Sequence, residues 1–147
     1  MKTYAIFNVK GGVAKTTTAT TIAHILATKY NKKVLIVDLD PQSNTTSLLG
    51  DSNLDIVSVL TRVFLQNDLS ALKSYPLTVG DLLINSTLDV HEVIQPTKYP
   101  NLDLLPAFLD LAEIEEQMKA DIRSPQQYRL NAHLSKINDE YDYCILD

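Results

Sequence analysis

Cysteine occurs once in the 147 residues, at Cys144, so the chain can form neither an intramolecular disulfide nor an all-cysteine metal or iron–sulfur site. Long apolar runs are missing as well; nothing approaches the roughly 18 residues that a membrane-spanning helix requires. No secretory leader is legible, because Met1-Lys2-Thr3-Tyr4 passes straight into a short apolar run without a small-residue cleavage site. A reducing, cytoplasmic setting without a membrane is the expectation. Excess positive charge is also lacking. With 13 basic against 18 acidic residues and a net charge of −5, this stretch has no global electrostatic reason to hold nucleic acid. Glycine is scarce, four in all, and two of the four are adjacent, Gly11 and Gly12. So sparing a chain has placed that pair for a backbone reason.

What is present is ordinary for one globular domain: 45% apolar and 21% charged residues. A chain near this length buries about 70% of its unfolded surface, enough for one sizeable core. Tyr4 to Val9 is β-rich and apolar and predicts a strand. Lys15 to Tyr30 carries Ala19, Ile22, Ala23, Leu26 and Ala27 at helical spacing. Lys33 to Asp38 is almost continuously apolar, which predicts a parallel strand buried on both faces. Strand, glycine turn, helix, strand is a βαβ unit. Leu54 to Gln66, Thr78 to Asn85 and Phe108 to Ala120 read as helices, and Pro125 with a Ser124 cap opens another. Asn101 to Pro106 and Tyr141 to Asp147 read as strands. No internal repeat or interdomain linker interrupts the pattern, so the fold class is α/β, a mostly parallel sheet flanked by helices.

The chemistry gathers at Lys10-Gly11-Gly12-Val13-Ala14-Lys15-Thr16-Thr17, between the first strand and its helix. A helix start offers unpaired N–H groups and the positive end of its dipole to a polyphosphate. Glycines let the backbone come close to phosphate oxygens. Lys15 would reach the β- and γ-phosphates and the Thr16 hydroxyl would ligate Mg²⁺. The strict P-loop pattern G-x-x-x-x-G-K-[ST] fails here, since Val9 and Ala14 stand where its glycines would be. If position 14 is left-handed, its alanine costs about 1–2 kcal/mol. The second strand ends in Asp38 and Asp40, two residues apart and so facing the same way if the extended conformation persists through both. In an open parallel sheet, ligands gather beyond the carboxyl ends of the strands, where these acids and the glycine turn lie. Asp147 ends the last apolar run in the same manner, an arrangement of the Walker B kind that supports Mg²⁺. His24, His91 and His133 have no metal-ligand spacing. Cys144 reads as a small core side chain, Glu113, Glu115 and Glu116 as a solvated helix face, and Tyr141 and Tyr143 as packing.

Together these motifs resemble the ParA/Soj partition ATPases, relatives of MinD and the nitrogenase iron protein. The glycine turn is similar to their deviant K-G-G-x-G-K-[ST]-T, with Ala14 for one glycine. Asp38-Leu39-Asp40-Pro41-Gln42-Ser43-Asn44-Thr45-Thr46 resembles their D-x-D-P-Q-x-N-x-T, and Ile94 to Thr97 and Asn101 to Ala107 resemble their connecting segments. The resemblance implies a P-loop NTPase fold of the SIMIBI-like kind, with Mg²⁺ and ATP bound by Lys10 to Thr17. It implies a nucleotide-sandwich dimer in which Lys10 reaches the partner's ATP. It makes Thr17 an α-phosphate contact, Asp40 the group that positions the attacking water, and Asp38 a carboxylate near the Mg²⁺ shell beside Thr16 and Asp147. Catalysis would rest on Lys10, Lys15 and Asp40. A ParB-like adaptor and non-specific DNA follow as partners of the full-length parent, which would be nucleoid-associated. ParA proteins continue past the Walker B strand, so residues 1–147 are expected to be the N-terminal portion of one ATPase domain. Such a cut predicts a frayed Asp147, together with exposed sheet edge and helix-docking surface that favour self-association. Two alternatives stay open: a MinD-like cell-division ATPase, and a nucleotide-switch or interaction fragment that hydrolyses nothing. An iron-protein relative is disfavoured, because one cysteine per chain is too few.

Overall fold

β2 (Val34–Val37) is apolar at every position because both of its faces are covered, and each of its four side chains is fully buried. The structure, a computed structural model, describes residues 1–50, 56–67, 75–119 and 126–147. Five strands form one sheet in the order β1 (Lys2–Ala5), β5 (Tyr143–Leu146), β2, β4 (Leu102–Leu105) and β3 (Gln95–Pro96). All neighbours run parallel except β3, which pairs antiparallel with β4. Val34 lies opposite Tyr143 on one side and Leu102 on the other, so β2 and β5 start level with each other. Pro96 sits on the outer edge strand, where its missing N–H costs no ladder bond.

The alternation of side chains divides the core in two. Val34 and Ile36 face α1 (Lys15–Thr28), whose Ala19, Ala23 and Ala27 pack against the sheet. Leu35 and Val37 face the other cluster, which draws on α4 (Val79–Ile84), α5 (Leu111–Lys119) and α6 (Gln126–Lys136). Alanines at three successive turns bring the α1 backbone close to the sheet. Ile22, expected on that face, is 38% exposed instead. Threonines inside α1 are tolerated because their hydroxyls bond back to the preceding turn, as Thr20 Oγ1 does to the Thr16 carbonyl at 2.7 Å.

Two boundaries differ from the sequence reading. The first strand covers Lys2–Ala5 rather than Tyr4–Val9. Its partner β5 ends at Leu146, the last bond is Ile6 N–H to the Leu146 carbonyl at 2.9 Å, and Phe7 to Val9 have nothing left to pair with. The helix expected from Phe108 starts at Leu111, where Phe108 accepts its first turn bond. Thr78, read as the first residue of a helix, instead caps α4: its side chain and that of Asp81 form a capping box, and Val79 N–H donates to the Pro106 carbonyl at 2.7 Å. The expected helix from Leu54 appears as α3 (Ile56–Gln66), with α2 (Asn44–Leu49) before it. Leu54, Ala120, Ser124 and Pro125 lie outside the described residues. Among those described, no helix is long and apolar enough to cross a membrane.

Candidate nucleotide site

The glycine turn occupies the carboxyl end of β1 and opens α1. Gly12 has φ +70° and Ala14 φ +59°, ψ +32°, so two residues of the turn are left-handed and the second is not a glycine. Space is free around Gly11 and Gly12, where an added Cβ would meet nothing within 4 Å. Lys10 N–H donates to Asn8 Oδ1 at 2.9 Å, which folds the chain back at the strand end. The first helical bond is Thr18 N–H to the Ala14 carbonyl at 2.9 Å. The N–H groups of Lys15, Thr16 and Thr17 therefore lack helical partners; α1 has no side-chain cap and no acid in its first turn. Nothing at this end competes with an incoming anion. Residues 10–14 are exposed, while Lys15 and Thr16 are half-buried.

The acids stand beside this turn because of the strand order. β5 lies between β1 and β2, so Asp147 and the Asp38–Asp40 segment follow the turn along the same sheet edge, about 4.8 Å per strand. Asp147 is firmly held, contrary to the expected fraying. Its N–H donates to the Val37 carbonyl at 3.0 Å, its carbonyl accepts from Leu39 N–H at 2.8 Å, and its Oδ2 accepts from Thr45 Oγ1 at 2.6 Å.

Asp38 and Asp40 do not share an environment. β2 ends at Val37, and the chain turns immediately beyond it. Asp38 is fully buried: Oδ2 accepts from Thr46 N–H at 2.8 Å and Thr46 Oγ1 at 2.7 Å, and Oδ1 accepts from Asp40 N–H at 3.1 Å. Burial holds its carboxyl above the usual range; the bonds from Thr46 and Asp40 pull the other way, and the nearby Asp147 charge raises it further. Asp40 is half-buried and accepts from Gln42 N–H at 2.9 Å within its own turn.

Thr45 and Thr46 belong to the acid-led motif after the second strand, yet the residue pattern alone gives them no role. The structure makes Thr46 a junction, since its Oγ1 also accepts from Ala107 N–H at 2.9 Å and so ties β2, α2 and the end of β4 together. The available signal was two hydroxyl residues opening a helix after a strand-end acid.

Among the described residues no group of three or more His, Cys, Asp or Glu could hold a metal ion unaided. Mg²⁺ keeps several waters and relies on one or two carboxylates plus substrate phosphates, so such a cluster is not a requirement for it. The glycine turn itself is open surface, and the cavity of about 670 Å³ beneath α5 and α6 lies elsewhere.

The remaining reactive side chains are structural. Cys144 is fully buried, and burial pushes its thiol up to about 12. Tyr141 donates to Asp103 Oδ2 at 2.8 Å, and Tyr143 packs its ring against Tyr4. His133 is buried, which lowers its basicity, and His24 meets Tyr99 edge-on.

This fold and turn are those of a nucleotide-binding AAA domain, and residues 1–147 match the AAA domain family model from end to end; the chain belongs to that family. Its curated relatives include ParA family proteins and a chromosome partitioning protein of Myxococcus xanthus. It is 36% identical to the sporulation initiation inhibitor protein Soj of Bacillus subtilis over 99% of this chain and 49% of Soj. It is 37% identical to the virulence plasmid ParA family protein of Chlamydia psittaci, over 100% of this chain and 48% of that protein. The chain thus spans about half the length of the curated relatives it matches. Among solved structures it resembles Mycobacterium smegmatis cobyrinic acid a,c-diamide synthase with an ATP analog and magnesium, with a TM-score of 0.76 and 30% identity over 100% of this chain and 50% of that one. A Borrelia burgdorferi putative plasmid partition protein bound to AMPPNP gives a TM-score of 0.68 at 25% identity, over 99% of this chain and 52% of that one. The P-loop NTPase fold expected from the sequence is the fold observed.

Proposed function

We propose that the chain is the phosphate-binding, N-terminal portion of a partition ATPase that segregates plasmid or chromosomal DNA. One observation carries the reading: three helical N–H groups without partners open α1 behind a left-handed glycine turn, on the same sheet edge as Asp38, Asp40 and Asp147. The turn from Lys10 through Gly11, Gly12, Val13 and Ala14 to Thr17 cradles the phosphates of ATP. Lys15 neutralises the β- and γ-phosphates, and Thr17 reaches the α-phosphate. Thr16, Asp38 and Asp147 would hold Mg²⁺ directly or through water, with Asp38 and Asp147 oriented by Thr46 and Thr45. When bound, Mg²⁺ neutralises charge on the phosphate oxygens. Asp40 positions the attacking water, and Lys10 serves the partner's nucleotide in an ATP-dependent dimer. Catalysis is then largely positioning and electrostatic stabilisation. A ParB-like adaptor and non-specific DNA are the partners of the full-length protein, in a nucleoid-associated cytoplasmic setting.

A nucleotide switch that hydrolyses nothing is the second reading, favoured by the left-handed Ala14. Calorimetric titration of ATP·Mg²⁺ into the chain and into Lys15→Ala tests the first step common to both. A charge-assisted contact is worth about 1.5–3 kcal/mol, so the variant should bind roughly 10- to 100-fold more weakly. Equal affinity would remove Lys15 from the site.

A further inference from the structure

We propose that the outer face of α1, with the two loops at its C-terminal end, docks an acidic amphipathic helix of a partner protein. The surface lies apart from the nucleotide turn. α1 spans 14 residues, about 21 Å, and carries the turn at one end and this patch at the other.

Charge is divided unevenly along the chain. Residues 1–37 hold six of the 13 cations, Lys2, Lys10, Lys15, Lys29, Lys32 and Lys33, and the first acid is Asp38. Lys10 and Lys15 belong to the nucleotide turn. Lys29 and Lys32 stand at the far end of α1, and the strand order brings the loop of Lys98 alongside. β2 and β4 start level, with Val34 opposite Leu102, so the loops before them run side by side. Asn101 Nδ2 donates to Asn31 Oδ1 at 2.8 Å, and the Tyr99 ring meets His24 of α1 edge-on at 4.5 Å. Thr97 fixes the second loop, its hydroxyl donating to the Leu102 carbonyl at 2.7 Å and accepting from Tyr99 N–H at 3.1 Å.

Lys29, Lys32 and Lys98 are exposed, and among the described residues no carboxylate is ion-paired with any of them. The ammonium groups of Lys29 and Lys98 lie over the rings of Tyr30 and Tyr99 instead. The neighbouring acid on β4 faces away: Asp103 alternates with Leu102 and Leu104, which pack toward α1, and it is bonded to Tyr141 on the opposite face. Lys33 is drawn to that same face, over the Tyr141 ring.

The patch is not charge alone. Ile22 and Ile25 are 38% and 40% exposed and lie in line with Lys29, at spacings of three and four residues along α1. Tyr30 is exposed just beyond them. An apolar strip that runs into unpaired lysines complements a helix with one apolar stripe and carboxylates at its flank. A phosphate backbone would satisfy the lysines but leave both isoleucines uncovered, so polypeptide is the better fit.

The test titrates a synthetic helical peptide of about four turns, with leucines at i, i+3, i+4 and i+7 and glutamates elsewhere, into the chain by fluorescence anisotropy. Saturable binding is expected. It should weaken roughly tenfold or more in the double variant Lys29→Glu, Lys32→Glu, and likewise in Ile25→Asp. Lys136→Glu makes the same kind of charge change on α6, across the sheet, and should leave the affinity unchanged. A peptide of identical composition in scrambled order keeps the charge, loses the stripe, and should bind roughly tenfold more weakly. Circular dichroism checks the fold of each variant. Amide NMR shifts of the unsubstituted chain, expected to change at Ile22, Ile25, Lys29 to Lys32 and Lys98, decide the matter if a variant unfolds. Absence of binding, equal binding of the scrambled peptide, an equal loss in Lys136→Glu, or shift changes elsewhere would overturn the proposal. So would duplex DNA of about 20 base pairs that binds the same lysines more tightly and displaces the peptide, marking a nucleic-acid surface. Self-association of the chain that Lys29→Glu, Lys32→Glu abolishes would overturn it in favour of a second copy. ATP is absent from every arm, so the outcome is independent of the nucleotide site.

Discussion

Ala14 holds φ +59° at the entrance to α1, a conformation that costs a residue with a Cβ about 1–2 kcal/mol. Glycine would escape that cost, less the extra entropy it carries in the unfolded chain. Ala14→Gly is therefore expected to raise the unfolding free energy by about 0.5–1 kcal/mol in urea titrations; a less stable variant would contradict the reading of the turn. Thr46 carries a second, independent burden. Thr46→Val leaves the Asp38 carboxylate short of one donor and the buried Ala107 N–H without an acceptor. Each unsatisfied group costs about 1–3 kcal/mol, so a loss of about 2–4 kcal/mol is expected, with Thr46→Ser recovering most of it. Equal stability of Thr46→Val and the parent would exclude the junction. The pH dependence of Asp38 has the unusual sign. Because its folded carboxyl sits above the unfolded value of 3.8, its penalty is absent below that value and is fully present once pH passes the raised folded one.

Among the elements, the 3₁₀ turn Val90–Glu92 is fastened to the connection between α6 and β5 by one side chain. His91 Nδ1 lies 2.8 Å from Asp89 Oδ1 and its Nε2 lies 2.9 Å from Glu140 Oε1. The two carboxylates raise the imidazole above its usual range, and Asp89 in turn is lowered by the His91 bonds and, more weakly, by Lys136. A raised histidine stabilises fully below its unfolded value of 6.5 and loses that contribution as pH climbs through the folded one. Thermal melts of the chain and of His91→Gln should thus differ more at pH 6 than at pH 9. The contribution is small, since the pair is half-exposed; a difference that grows with pH would contradict the bridge. No local pattern announces this contact, which spans 49 positions, nor the Thr45–Asp147 bond, which spans 102. What could be read in sequence was local: the doubly buried β2 from its continuous apolar run, and the tight turn before α1 from its paired glycines. The end of β1 was hidden because it depends on where β5 stops. The buried face of α1 was blurred because alanine gives a weaker periodic signal than Ile22, which the fold leaves exposed. The separate fates of Asp38 and Asp40 were hidden because the strand ends at Val37, before either acid, so the extended conformation does not persist through both.

Seen as a whole, the molecule concentrates its chemistry by topology rather than by composition. The net charge of −5 says nothing of phosphate, yet the order β1-β5-β2 gathers one cationic turn and three acids along a single sheet edge. In the proposed function, opposite charges there would serve different ligands, backbone N–H groups and lysines the anion and carboxylates the metal. The central claim is that the amides of the glycine turn receive the phosphates. The most direct measurement is the change in backbone amide NMR shifts of the chain on titration with ATP·Mg²⁺. The largest changes are expected at the amides of Gly11 to Thr17, followed by Asp38, Asp40 and Asp147. Shifts confined to the cavity beneath α5 and α6, with the turn unmoved, would contradict the account.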